Sequence, residues 1–207
     1  MDLQASIPAV AIWSMATIPK ALSSAQVRRL LAQCDRHTAR GCRDYAILLL
    51  LARLGLRGGE VAELTLDDLD WEAGELRIAY TGQRFDRLPM PQDVGVAIAD
   101  YLRNARPASP SRHVFLRSKA PRRRFAGPSA IGDVVRAALR RAGLHPPLRG
   151  SHLLRHSLAT QMLNRGASLA EIGELLRHRC QQTTTIYAKV DLASLRPLAL
   201  PWPGAVR

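Results

Sequence analysis

The stretch RDYAILLLLARLGLRGGEVAEL, residues 43–64, decides the reading of this chain. From about Arg43 to Leu54 it is apolar nearly all round. A helix of that kind buries every face, so it predicts a central core helix. Gly55 breaks it, and a short amphipathic turn follows through Val61 and Leu64. Arg57 sits just past the break beside two glycines. Taken alone it is either a surface residue beyond a helix end or a buried anion ligand, and a lone arginine is usually the former.

Downstream the period changes. Asp67, Asp68 and Asp70 surround Leu69, and Glu72-Ala-Gly74 reads as a turn. Leu76, Ile78 and Tyr80 alternate with Arg77 and Ala79, which is a strand pattern. Gly82 opens another turn, and Leu88-Pro89-Met90 suits a short edge strand. Residues 66–90 thus predict a small antiparallel sheet inside a helical protein. Helical spacing resumes over Val94–Leu102, Ala130–Ala142 and Ser151–Arg165. A further helix from Ser168 ends near Arg177, and another covers 183–190. Upstream, Ser23 and Ser24 offer an N-cap for a helix carrying Val27, Leu30 and Leu31. The proline-rich stretch 105–128 reads as a loop with one short strand at His113–Leu116. Residues 1–20 show no steady period and read as an arm. Their apolar run lacks the basic flank of a targeting signal.

Length and composition narrow the classes. At roughly 100–200 residues per domain, 207 residues make one domain or one with an appendage. Apolar residues at 47% and charged residues at 23% exclude a disordered chain. No apolar run approaches the ~20 residues of a membrane span. Cys34, Cys42 and Cys180 form no close-spaced pair, so neither a metal knuckle nor a disulfide framework is indicated, and a reducing, cytoplasmic setting is expected. The net charge is +13, and only Lys20, Lys119 and Lys189 among the 30 basic residues are lysine. Arginine-favouring codons explain much of that bias. A polyanion partner explains the rest, since guanidinium forks onto phosphate bidentately. An anionic membrane surface competes, but no long basic amphipathic stretch supports it.

Two further motifs hold chemistry-bearing residues. In His152-Leu-Leu-Arg155-His156 the first histidine shares a helix face with both basic residues that follow. A zinc protease would need Glu directly after His152, and Leu153 stands there. A His/Arg face opening a helix can bind phosphate, or it can be a solvated basic face. Leu-Leu-Arg177-His178 and Tyr187 lie nine residues apart across Gln181-Gln182 and a threonine run. Singly, His178 reads as a helix C-terminal residue and Tyr187 as a core or rim tyrosine.

In order, Gly-Leu-Arg57, His152-x-x-Arg155, Leu-Leu-Arg-His178 and Tyr187 closely resemble the tyrosine recombinase (phage integrase) family. Arg43-Asp44-Tyr45, Leu64-x-Leu66-x-Asp68-Leu69 and Thr184-x-x-Ile186-Tyr187 match as well. The resemblance runs from about residue 20 to the end. It implies a mainly α catalytic-domain fold with a small antiparallel β-sheet, of the DNA breaking-rejoining type. It implies strand transfer at a phosphodiester with no metal and no cofactor. Tyr187 would attack and become 3′-phosphotyrosyl-linked, while Arg57 and Arg155 hold the non-bridging oxygens. His152 would accept the tyrosine proton or bond the phosphate, and His178 would donate to it.

Glu60 and His156 are candidates for orienting neighbours, and Arg84 for an auxiliary cation. Arg87, Arg122, Arg123, Arg124, Arg177 and Arg179 are candidate DNA contacts. Double-stranded DNA is the expected partner, with self-association on it through a tail carrying Leu192, Leu195 and Leu198.

There are two departures from the family pattern. Thr81 stands where the family's hairpin lysine would protonate the leaving 5′-hydroxyl, and Arg84 is a poor proton donor. Only about 20 residues precede the catalytic region 21–207, so residues 1–20 read as a linker remnant and the family's N-terminal core-binding domain is expected to be absent. The alternatives are a DNA-binding remnant without recombination activity, a type IB topoisomerase, or a basic helical RNA-binding protein.

Overall fold

The computed structural model describes residues 21–79, 85–177 and 184. Its elements run α1 (Ser24–Ala32), α2 (Ala39–Arg53), α3 (Gly58–Glu63), β1 (Leu69–Asp70), β2 (Glu75–Ala79), β3 (Phe85–Pro89), α4 (Gln92–Asp100), α5 (Pro128–Arg141), α6 (His152–Leu163) and α7 (Leu169–Leu175). Helices dominate, and the three strands form one antiparallel sheet in the order β1-β2-β3.

The long apolar helix is α2, and it is central. Ala46 to Leu51 are each at most 1% exposed. At roughly 1.5–3 kcal/mol for each fully buried leucine, this helix anchors the core. It packs against α1, α3, α4, α5 and α6. It begins at Ala39, four residues earlier than its apolar run indicates, because Thr38 caps it: the Thr38 hydroxyl accepts from the Gly41 N–H at 3.1 Å. Arg43 and Asp44, which follow the extra turn, are themselves buried. Arg43 donates to Asp44 at 2.7 Å, to the Leu116 carbonyl at 3.0 Å and to the Ser118 hydroxyl at 2.6 Å. Its guanidinium also lies over the Phe125 ring.

Gly74 supplies the left-handed turn between β1 and β2, with φ of 65°. Leu76 and Ile78 face the core, and the register pairs Leu76 with Leu88. The sheet therefore lies where the alternating pattern predicts it. The expected strand at His113–Leu116 does not form. His113 makes a single bridge to Thr65 and Leu116 another to Arg124, so the loop is stitched at two points without a ladder. After Asp100, α4 continues as one π-helical turn, Tyr101–Ala105.

Ser23 and Ser168 each close a capping box, with Gln26 and Glu171 respectively, and so start α1 and α7. Leu163, Ile172 and Leu176, with Ala159, form a small second apolar cluster between α6 and α7. Within the expected last helix, 183–190, only Thr184 is described; it is helical and buried.

Candidate active site

The site starts from the break that ends α2. Gly55 has φ of 59°, and a Cβ there would stand 2.6 Å from Leu176 Cδ2. Only glycine permits both the left-handed backbone and that approach. The turn delivers Arg57 to the N-cap of α3. Glu60, three residues on, accepts from the Arg57 backbone N–H at 2.7 Å and from its Nη1 at 2.8 Å. The Arg57 Nη2 donates to the Arg177 carbonyl at 3.1 Å. The side chain is 38% exposed, so Arg57 is neither a free surface residue nor a fully buried one.

Arg155 comes from the opposite side, on the first turn of α6. It is 5% exposed. Its Nη1 donates to the Gly55 carbonyl and its Nη2 to the Leu176 carbonyl. Hydrogen bonds from a charged donor are worth about 1.5–3 kcal/mol each, so Arg155 braces the end of α2 against the end of α7. The two guanidiniums thus meet at adjacent carbonyls of one helix terminus, Leu176 and Arg177, where the helix dipole favours cations.

His152 opens α6 and is exposed, while His156 one turn later is half-buried. Burial pushes the His156 pKa down, and the neighbouring His152 and Arg155 charges push it the same way. The helix itself enters close to α3. Ser151 is buried, and a Cβ on Gly58 would lie 2.7 Å from its hydroxyl.

Arg177 is placed differently from the sequence reading. Expected as a DNA contact, it turns inward with 7% of its side chain exposed. It bonds Glu60 Oε2 at 2.7 Å and lies 3.7 Å from Asp86. The Glu60 carboxylate, 13% exposed, is its partner there. Arg87 is exposed and paired with Glu75 at 3.4 Å. Arg122 and Arg123 are exposed, and Arg124 is exposed and paired with Glu63. His178, Tyr187, Arg84, Arg179 and Thr81 lie outside the described residues. Asp86 and Ser151 were not singled out by the sequence, which has no signal for contacts between segments so far apart.

A cleft of about 210 Å³ adjoins Glu60, lined also by Glu63, Asp68 and Arg77. A larger cavity, about 320 Å³, lies between the α1–α2 loop and α5 and contains none of these residues. Among the described residues no group of His, Cys, Asp and Glu is arranged to hold a metal ion. No described helix is long and apolar enough to cross a membrane.

Comparison with known proteins follows the same geometry. The model of the Phage integrase family matches residues 20–193. The putative integrase/recombinase y4rA of Sinorhizobium fredii is 58% identical over 203 residues, covering 98% of this chain and 49% of its own length. Tyrosine recombinase XerA of Pyrococcus furiosus is 33% identical over 181 residues, 87% of this chain and 60% of its own. The chain therefore spans between about half and three-fifths of the length of these relatives. A crystal structure of XerA recombinase superposes with a TM-score of 0.72 at 27% identity, covering 87% of this chain and 64% of that one. By sequence and by fold, the chain belongs to the phage integrase family.

Proposed function

We propose that residues 21–207 form the catalytic unit of a site-specific DNA recombinase. It cuts and rejoins double-stranded DNA through a 3′-phosphotyrosyl intermediate. The observation that carries this reading is the meeting of Arg57 and Arg155 at the end of α7, in a chain of this family. Arg57 commits one N–H to Glu60 and one to the Arg177 carbonyl, out of five on its guanidinium. The remaining donors can engage the non-bridging oxygens of a phosphodiester.

In the proposed reaction the Tyr187 hydroxyl attacks the scissile phosphorus. The P–O5′ bond breaks, the 5′-hydroxyl leaves and the phosphotyrosyl ester stores the bond energy. The reverse step, by a different 5′-hydroxyl, completes the exchange. Covalent storage removes any need for a nucleotide cofactor. Charge grows on the non-bridging oxygens toward the transition state, where Arg57 and Arg155 oppose it. Loss of one such donor commonly costs ~10²–10³ in rate. His152 accepts the tyrosine proton or bonds the phosphate, and His178 adds a donor. With Thr81 at the family's lysine position in sequence, the departing O5′ takes its proton from water and forgoes a side-chain acid, a contribution worth ~10²–10⁴ in such reactions. The +13 net charge suits a DNA partner. Self-association on DNA and a cytoplasmic location belong to the same reading.

A second reading, a DNA-binding remnant, is favoured by Thr81 alone. Nicked suicide DNA drawn from sequences flanking the gene separates the two. The proposal expects a covalent protein–DNA adduct that Tyr187→Phe abolishes and Thr81→Lys accelerates. DNA binding with no adduct in either the parent or Thr81→Lys would establish the remnant.

A further inference from the structure

Arg177 combines features that disfavour it energetically. Its φ of 53° makes it the one non-glycine residue with left-handed backbone among those described. A side chain there carries a steric penalty that glycine would avoid. The guanidinium is also buried, and its Nε and Nη1 have no hydrogen-bond partner among the described residues. Strain and lost hydration at one position persist only where the surroundings over-determine the conformation.

Those surroundings connect three separate parts of the candidate site. The Arg177 carbonyl accepts from Arg57 Nη2 at 3.1 Å. Its Nη2 donates to Glu60 Oε2 at 2.7 Å, the same oxygen that holds the Arg57 backbone N–H. Its Nε lies 3.7 Å from Oδ2 of Asp86, the second residue of β3, just after the hairpin turn. In the chain it directly precedes His178.

We propose that Arg177 is a positioning residue for strand cleavage: it shares Glu60 with Arg57 and ties both to the hairpin through Asp86. The inference rests on the recombinase reading above. With Arg177 present, Glu60 Oε2 is engaged by a second cation, so the Arg57 guanidinium pairs with the carboxylate through Nη1 alone. Without it, the Arg57 guanidinium can fold onto both Glu60 oxygens. Such a two-pronged pair withdraws the donors that would otherwise face the phosphate.

Three variants separate side chain from backbone. Arg177→Gly removes the strain together with the guanidinium. Arg177→Met keeps the strain and removes the charge. Arg177→Lys keeps both strain and charge. The expected result is an Arg177→Gly protein at least as thermally stable as the parent that forms the DNA adduct at least tenfold more slowly on saturating DNA. Its DNA Kd stays within about twofold. Arg177→Lys retains more of the rate than Arg177→Met. Amide exchange in 57–60 and 85–89 quickens in the glycine variant.

Cleavage by Arg177→Gly at the parent's rate would overturn the proposal. So would a weakened Kd with a salt slope reduced by about one, which marks a direct phosphate contact. If DNA is bound and neither the parent nor Thr81→Lys forms an adduct, the recombinase reading fails by itself. Amide exchange then decides the coupling, and unchanged protection at 57–60 and 85–89 in the glycine variant would refute it.

Discussion

Gly58 and Ser151 are in contact across the N-termini of α3 and α6: a Cβ on the glycine would lie 2.7 Å from the serine Oγ and 3.2 Å from its Cβ. This closeness brings Arg57, one residue before Gly58, up to the helix that carries His152 and Arg155. Two segments nearly a hundred residues apart share a site because one of them lacks a side chain.

Gly58→Ala should therefore destabilise the protein by about 1–3 kcal/mol, the usual cost of overpacking. The neighbouring Gly59 has nothing within 4 Å. Gly59→Ala should be neutral or stabilising by about 0.5–1 kcal/mol, as for glycine inside a helix. Chemical denaturation of the two variants checks the contrast. Removing the serine hydroxyl in Gly58→Ala/Ser151→Ala should recover part of the loss.

Glu60 is the charge partner of both Arg57 and Arg177, and its side chain is 13% exposed. Glu60→Gln should cost on the order of 3 kcal/mol by leaving the buried Arg177 guanidinium with only the more distant, part-exposed Asp86 carboxylate as counter-charge. Adding Arg177→Gly to that variant should recover much of the loss, because the poorly paired charge is gone. A double-mutant cycle in urea reads the coupling; simple additivity would contradict it.

Arg43 stitches the 116–118 loop to α2 and neutralises Asp44, which is 1% exposed. Arg43→Ala should cost about 3–5 kcal/mol, the penalty for breaking a buried ion pair from one side. Arg40 reaches Asp44 only from an exposed position at 3.6 Å and should offset little. A drop in urea midpoint, with early proteolysis within 105–127, is the expected signature.

His156 gives the stability a pH dependence of known sign. Its folded pKa lies below the ordinary value of 6.5 because of burial, then His152, then Arg155. Between the two values the unfolded chain binds the extra proton. Stability is thus fully present above about 6.5 and declines as pH falls through the depressed folded value. His156→Gln should flatten the acid side of a Tm-against-pH curve between pH 7.5 and 5. An acid side of unchanged steepness would show that His156 does not set it.

The helices around α2 and the β2–β3 hairpin were legible because their signals are local: an all-apolar run, an alternation of two and a capping serine. Arg57, His152 and Arg155 could be picked out as a set only through order and spacing across the chain. Their arrangement could not be read. The Arg57 Nη2 contact is to a carbonyl 120 residues away, and Gly58 and Gly59 look identical until Ser151 arrives beside one of them. Arg177 was read only as a candidate DNA contact, because its pairing with Glu60, 117 residues away in the chain, has no local signal. The bridges at His113 and Leu116 escaped for a related reason. Their apolar pattern reports burial, and burial alone does not make a ladder.

On the recombinase reading, Tyr187 carries the DNA strand. The most direct test is to isolate the covalent adduct from suicide DNA, digest protein and DNA, and locate the nucleotide-bearing residue by mass spectrometry. The expected result is a single modified peptide, with a 3′-phosphate joined to Tyr187 and a free 5′-hydroxyl on the released strand. An adduct on another residue, a 5′-linked phosphate, or bound DNA with no adduct at all would contradict it.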